Sequence, residues 1–194
     1  MPPPTPRALA GLIAGGLLIA GLPVLAALPA SATSIEDIRQ LENLINASGT
    51  DTIVSVDCPP NHAGYYENDG RNIDRLVICR RNVDMGDVEA VWEVMAHEST
   101  HIMQACTGTT ALADEQMPRT YRELQTIAPH YAKLISSAYS TATPRLETEA
   151  FWMELQTPPV VMELFRRNCA AFLRPGGAPP RRQPPALPLS PSGH

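Results

Sequence analysis

The sequence predicts an α+β domain, mostly helical with a small β-sheet. Three observations point there. Apolar residues recur at i, i+3, i+4 spacing in one segment after another, the signature of helices with one buried face. Two short β-branched runs, Thr52 to Asp57 and Leu76 to Cys79, read instead as strands. Proline is concentrated at the ends: of 20 prolines, six precede residue 30, seven follow Arg174, and only seven lie between Thr33 and Leu173. The block from Thr33 to Leu173 is therefore the folded part, and it is long enough to bury a core. A hydrophobic content of 44% excludes disorder throughout. Nucleic-acid binding is excluded by charge, because Thr33–Leu173 carries 11 Lys+Arg against 20 Asp+Glu and leaves no basic stripe for phosphates.

The N-terminus reads as a targeting segment. Arg7 and the amine supply positive charge, Ala8 to Leu28 is apolar and uncharged, and Pro29-Ala30-Ser31-Ala32 gives an A-x-A site. Residues 1–32 are expected to be a signal peptide cleaved after Ala32. The apolar run could also span a bilayer of roughly 20 residues' depth, so an uncleaved anchor is the alternative. Gly11, Gly15, Gly16 and Gly21, with the A-x-A site, favour cleavage. The domain is expected to be secreted or periplasmic, meeting a membrane only if that segment stays attached. Residues 174–194 form a Pro-rich tail read as disordered.

The elements follow in order. Ser34 caps a helix, with Asp37 three residues on as a variant capping box. Ile35, Ile38, Leu41, Leu44 and Ile45 line its apolar face, and Gly49 closes it. The strand at Thr52–Asp57 leads into a loop from Cys58 to Asp74 rich in Pro, Asn and Gly. Leu76–Cys79 then gives a second strand, and the two form a hairpin-like pair. Asp84 or Asp87 caps the next helix, whose face is Val88, Val91, Trp92, Val94 and Met95, running to about Cys106 and stopping at Gly108. Helices follow from Pro118 to Ile127 and from Tyr131 to Tyr139. Thr143-Pro144 is an N-cap with proline at N1, opening a helix that runs to Pro158. A last helix covers Val160 to Leu173.

Export gives the cysteines a reading. Four of them, Cys58, Cys79, Cys106 and Cys169, in an oxidising compartment imply two disulfides. Cys58 and Cys79 flank the turn-rich stretch between the strands, which favours pairing them and leaves Cys106 with Cys169. Zinc binding by cysteine is disfavoured, since no C-x-x-C occurs.

His97-Glu98-Ser99-Thr100-His101 is H-E-x-x-H inside the best-defined helix. Spacing i, i+4 puts both imidazoles on one face, where they can share one ion. Glu98 is rotated out of that pair yet can reach a metal-bound water, giving two zinc ligands and a general base. A third ligand is required. The metzincin extension would need Gly at 104 and His at 107, whereas Gln104 and Thr107 stand there. The best remaining donor is a carboxylate in Glu147-Thr148-Glu149. Two residues apart on a helix point about 200° apart, so only one can face the metal. Trp152 and Met153 place Glu149 on the core row and favour it, while Glu147 shares its row with Phe151. Asp114, Glu115 and Glu123 are weaker candidates. A stabiliser for the developing oxyanion is also expected. His130 and Tyr131 are the first choices, ahead of Tyr121, Tyr139, His62, Tyr65 and Tyr66.

The segments His97–His101 and Leu146–Phe151 together resemble the zincin metallopeptidase superfamily, of its small glutamate-ligand (gluzincin-like) type. The resemblance spans about Asp84 to Leu155. It implies a zincin-like fold with Zn²⁺ held by His97, His101 and Glu149, Glu98 as base, and a peptide or protein substrate. Thermolysin-like members carry Asp four residues after the ligand glutamate; here Met153 follows Glu149 and Phe151 follows Glu147 at that spacing. A site with Asp114 as third ligand, similar to the aspzincins, is the runner-up. Leu76–Cys79 is expected to line the cleft and pair with an extended peptide. The expected activity is zinc-dependent peptide hydrolysis. The alternatives are an exported zinc-binding structural or interaction module without turnover, and a metal-free helical domain with both histidines at the surface.

Overall fold

The computed structural model describes residues 32–138 and 144–174. The expected signal segment before Ala32, the tail beyond Arg174, the Thr143 cap and Tyr139 lie outside them. The described part is α+β and mostly helical, with six helices and one three-stranded mixed sheet.

Helix α1 (Ile35–Ala47) starts where local chemistry dictates. Ser34 accepts from the Asp37 amide while Asp37 accepts from the Ser34 amide, a complete capping box. Ile38, Leu41 and Ile45 bury its inner face. Helix α2 (Val88–Thr107) is capped by Asp87, which accepts from the Glu89 and Ala90 amides. It ends at Gly108, whose φ of 72° is the left-handed conformation that glycine adopts without a Cβ clash. Helices α3 (Met117–Ile127), α4 (Pro129–Ala138), α5 (Pro144–Glu154) and α6 (Pro158–Asn168) each carry proline in the first turn, where its missing N–H costs nothing.

The sheet departs from the expected hairpin. Strands β1 (Asp51–Ser55) and β3 (Asp74–Cys79) run parallel, with Ser55 opposite Cys79. The intervening loop contains a further strand, β2 (Gly64–Asn68), antiparallel to β3, giving the order β1-β3-β2. The chain leaving β1 crosses the end of β3 before turning back as β2. There Cys79 N–H donates to Ala63 O, and the Cys58–Cys79 disulfide ties the crossing down. The β2–β3 turn is closed by Asp69, whose carboxylate accepts from the Arg71, Asn72 and Ile73 amides. These bonds hold its pKa below the usual carboxylate value.

Two apolar clusters form. The larger joins α1, β3, α2, α6 and Met153 of α5; the smaller joins α3, α4 and Phe151 of α5, with Trp152 packed against both. A second disulfide, Cys106–Cys169, ties the end of α2 to the residue after α6. No helix among the described residues is long and apolar enough to cross a membrane.

Candidate metal centre

The site lies where α5 packs along α2. Spacing i, i+4 brings both His97 and His101 to the α5 side of α2. The carboxylate that meets them is Glu147, not the expected Glu149. His97 Nε2 lies 3.6 Å from Glu147 Oε2, and His101 Nε2 lies 3.8 Å from Glu147 Oε1. One ligand atom from each of the three residues falls within 4.8 Å of the others. Glu147 is 1% exposed and His101 4%, while the His97 side chain keeps 12% of its surface.

Each imidazole is held from behind through Nδ1. His97 Nδ1 donates to Glu154 Oε1 at 2.5 Å. A carboxylate at that position can only accept, so Nδ1 carries a proton and Nε2 is the ring nitrogen that faces Glu147. His101 Nδ1 lies 2.8 Å from Gln104 Oε1. Two Nε2 atoms and a carboxylate thus converge, backed by hydrogen-bonded partners, the arrangement that orients histidine ligands at metal sites. Two His and one Glu are a donor set of catalytic zinc sites that leave a fourth position open. Ligands on a tetrahedral Zn²⁺ stand about 3.3 Å apart, so the 3.6 and 3.8 Å histidine–Glu147 separations need only a small contraction. The residues present fit such an ion.

Glu149 turns away from the histidines, toward Gln104 and the segment after α2. It accepts from Gln104 Nε2 at 2.9 Å, from the Ala111 amide at 2.9 Å and from the Leu112 amide at 2.7 Å. Burial raises its pKa, against the lowering effect of those three donors. Asp114 is an exposed partner of Arg145 rather than a donor to the cluster. Glu115 is exposed and Glu123 half-buried, both apart from it.

The two first-choice oxyanion residues also sit differently from expectation. Tyr131 stacks on Phe151, with ring centroids 4.6 Å apart, and Phe151 in turn meets the His97 ring edge-on. The Tyr131 hydroxyl serves Glu154, behind His97. Burial and that carboxylate hold its phenol protonated far above the ordinary range. His130 is exposed and rests on the Tyr131 ring. Among the other candidates, the Tyr66 hydroxyl donates to Asp74, the His62 ring lies against Pro60 O, and Tyr121 lines a separate groove between α3 and α4.

Glu98 is 7% exposed, and its carboxylate takes part in no hydrogen bond among the described residues. Burial is the main cause of its raised pKa, opposed by His97 and His101 and reinforced by Glu147 and Glu154. His97 is pushed down by burial, but its bonds to Glu147 and Glu154 outweigh this and hold it well above its ordinary value. In the absence of a cation, His97 therefore keeps a proton that an incoming metal must displace.

Beside Glu98 lies the start of β2. A Cβ built on Gly64 would stand 2.5 Å from Val94 Cγ1, 2.8 Å from Val77 O and 3.3 Å from Glu98 Cγ. Only glycine lets the strand come this close to α2. β2 is an edge strand, whereas β3, expected to line the cleft, is paired on both sides.

Two residues of the site escaped the sequence reading. Glu154 stands seven residues after Glu147, two helical turns on and on the same face; that spacing was the available signal. Gln104 was visible only as the residue breaking a longer histidine motif. Comparison with models of known families, with curated proteins and with solved structures returned no match.

Proposed function

We propose that the chain is an exported zinc metallopeptidase. His97, His101 and Glu147 would hold the ion and Glu98 would act as general base. The observation that carries this reading is the convergence of the two Nε2 atoms on the Glu147 carboxylate, with Glu98 next to them on the same helix. A bound Zn²⁺ supplies Lewis-acid polarisation and brings the pKa of water to about 7. Glu98, buried beside the histidines and without a hydrogen-bond partner among the described residues, suits removing a proton from the attacking water and passing it to the leaving amine. His97 and His101, locked from behind by Glu154 and Gln104, contribute fixed donors. The outer edge of β2, beside Glu98, suits an extended peptide adding by backbone pairing. The two disulfides fit an oxidising compartment, which agrees with export. A structural zinc module would have no use for Glu98.

The test is zinc content and peptide hydrolysis of the parent and Glu98→Gln. Stoichiometric zinc in both, with hydrolysis only in the parent, is expected. Zinc without hydrolysis in either would favour the structural module; no zinc in the parent would refute the site.

A further inference from the structure

Glu149 has the burial of a functional group and no place among the ligands. It is 0% exposed. Its two oxygens are saturated by three donors, two of them fixed backbone amides in the segment after α2. The third donor, Gln104 Nε2, also donates to Leu146 O at 3.0 Å. Both partners of that nitrogen can only accept, so the Gln104 amide has one permitted orientation. Flipped, it would set its oxygen against a carboxylate and a carbonyl. In the permitted orientation Oε1 faces His101 Nδ1 and can only accept from it. The imidazole proton is thereby fixed on Nδ1 and the lone pair on Nε2, facing Glu147.

We propose that Glu149 and Gln104 form a positioning unit that selects the metal-binding tautomer of His101 by a chain of hydrogen bonds running from the Ala111 and Leu112 amides to the ring. This rests on the reading of His97, His101 and Glu147 as a cation site. Without Glu149 only the Leu146 carbonyl still opposes a flip of the Gln104 amide, which would present its NH₂ to Nδ1 and move the ring proton onto Nε2, where it blocks the ion. The same Gln104 nitrogen holds the carbonyl next to Glu147, so one side chain steadies a donor on each helix.

The experiment uses the full mature chain with both disulfides formed. Zn²⁺ affinity is measured by chelator competition for the parent, Glu149→Gln, Gln104→Met and the double variant. Thermal unfolding checks that each folds. A glutamine at 149 offers one oxygen to three donors and so breaks the chain without removing bulk. Each single variant is expected to lose about 10–100-fold in affinity, the range for partners behind a ligand. The double variant is expected to lose no more than the weaker-binding single, because both act through one nitrogen. Losses that multiply in the double, or singles within about twofold of the parent, would overturn the proposal.

Nitrogen-15 NMR of the metal-free parent, at a pH where the ring is neutral, reads the tautomer directly and stands even if a variant fails to fold. A proton on Nδ1 of His101 is expected. A parent that binds Zn²⁺ with His101 protonated on Nε2 when metal-free refutes the positioning role alone. A parent that binds no Zn²⁺ refutes the cation site and this role with it.

Discussion

Replacing Gly64 with alanine tests how closely the edge strand must approach the base. The new Cβ would stand 2.5 Å from Val94 Cγ1, against an ordinary carbon contact of about 3.5–4.0 Å. The shortfall is therefore about 1 Å or more. Val94 is buried and cannot simply swing away, and the contact at 2.8 Å is the Val77 backbone carbonyl. β2 must move outward or α2 must yield. Overpacking of this kind costs about 1–3 kcal/mol. Glu98 Cγ, at 3.3 Å, is drawn into the adjustment, and a displacement of about 1 Å near a reacting group can cost about 10²-fold in rate. The ligands sit between α2 and α5, away from β2, so zinc should remain stoichiometric. Urea unfolding, zinc analysis and hydrolysis of an unfolded protein substrate read the three quantities. Stability within about 0.5 kcal/mol of the parent would refute the packing argument. Loss of zinc would show that the strand supports the ligands rather than the base.

Other outcomes follow from the same geometry. His97→Ala, His101→Ala and Glu147→Ala should each abolish stoichiometric zinc, measured by elemental analysis, whereas Glu149→Ala should weaken binding by about 10–100-fold; zinc retained in Glu147→Ala would move the third ligand elsewhere. His97, Glu98 and Glu149 all have raised pKa values in the metal-free fold. Their stabilising contribution is thus complete below the unfolded values, 4.5 for the carboxyls and 6.5 for His97, and is lost as pH climbs through the folded ones. Tm measured with a chelator should fall from about pH 5 to about pH 8, and excess zinc should oppose that fall; a rise in chelator would contradict the assignment. The disulfides close separations of 21 and 63 residues, which chain entropy converts to about 3 and about 4 kcal/mol. Denaturant unfolding of Cys58→Ala/Cys79→Ala and Cys106→Ala/Cys169→Ala measures both.

The parts of this protein visible in its sequence are those written in local chemistry. Ser34, Asp87 and Gly108 mark helix ends because a side-chain oxygen or a left-handed residue does the same work in any context. The pairing of Cys58 with Cys79 was legible too, although for a partly mistaken reason: the strands are neighbours, but parallel. Strand direction depends on partners distant in the chain, and β2 was hidden because Gly64-Tyr-Tyr-Glu-Asn68 lies among turn formers. The choice between Glu147 and Glu149 failed for a different reason. From Glu147 to Phe151 every residue of α5 is buried, so this stretch has no solvent face and its periodicity carries no information on which side meets α2. Glu154 was passed over because a carboxylate was sought one turn after the ligand, and the structure supplies it at two.

Helix α5 is shared property. Met153 belongs to one apolar cluster and Phe151 to the other, and α3 and α4 pack on α5 while the sheet and α1 pack on α2 or one another. The same short helix carries Glu147. A cation held between Glu147 and the two histidines of α2 would therefore act as a rivet between the two apolar clusters. Its removal would be felt first as lost cooperation between them: α3, α4 and α5 would exchange their amide hydrogens sooner than the disulfide-tied cluster, long before the chain as a whole unfolds.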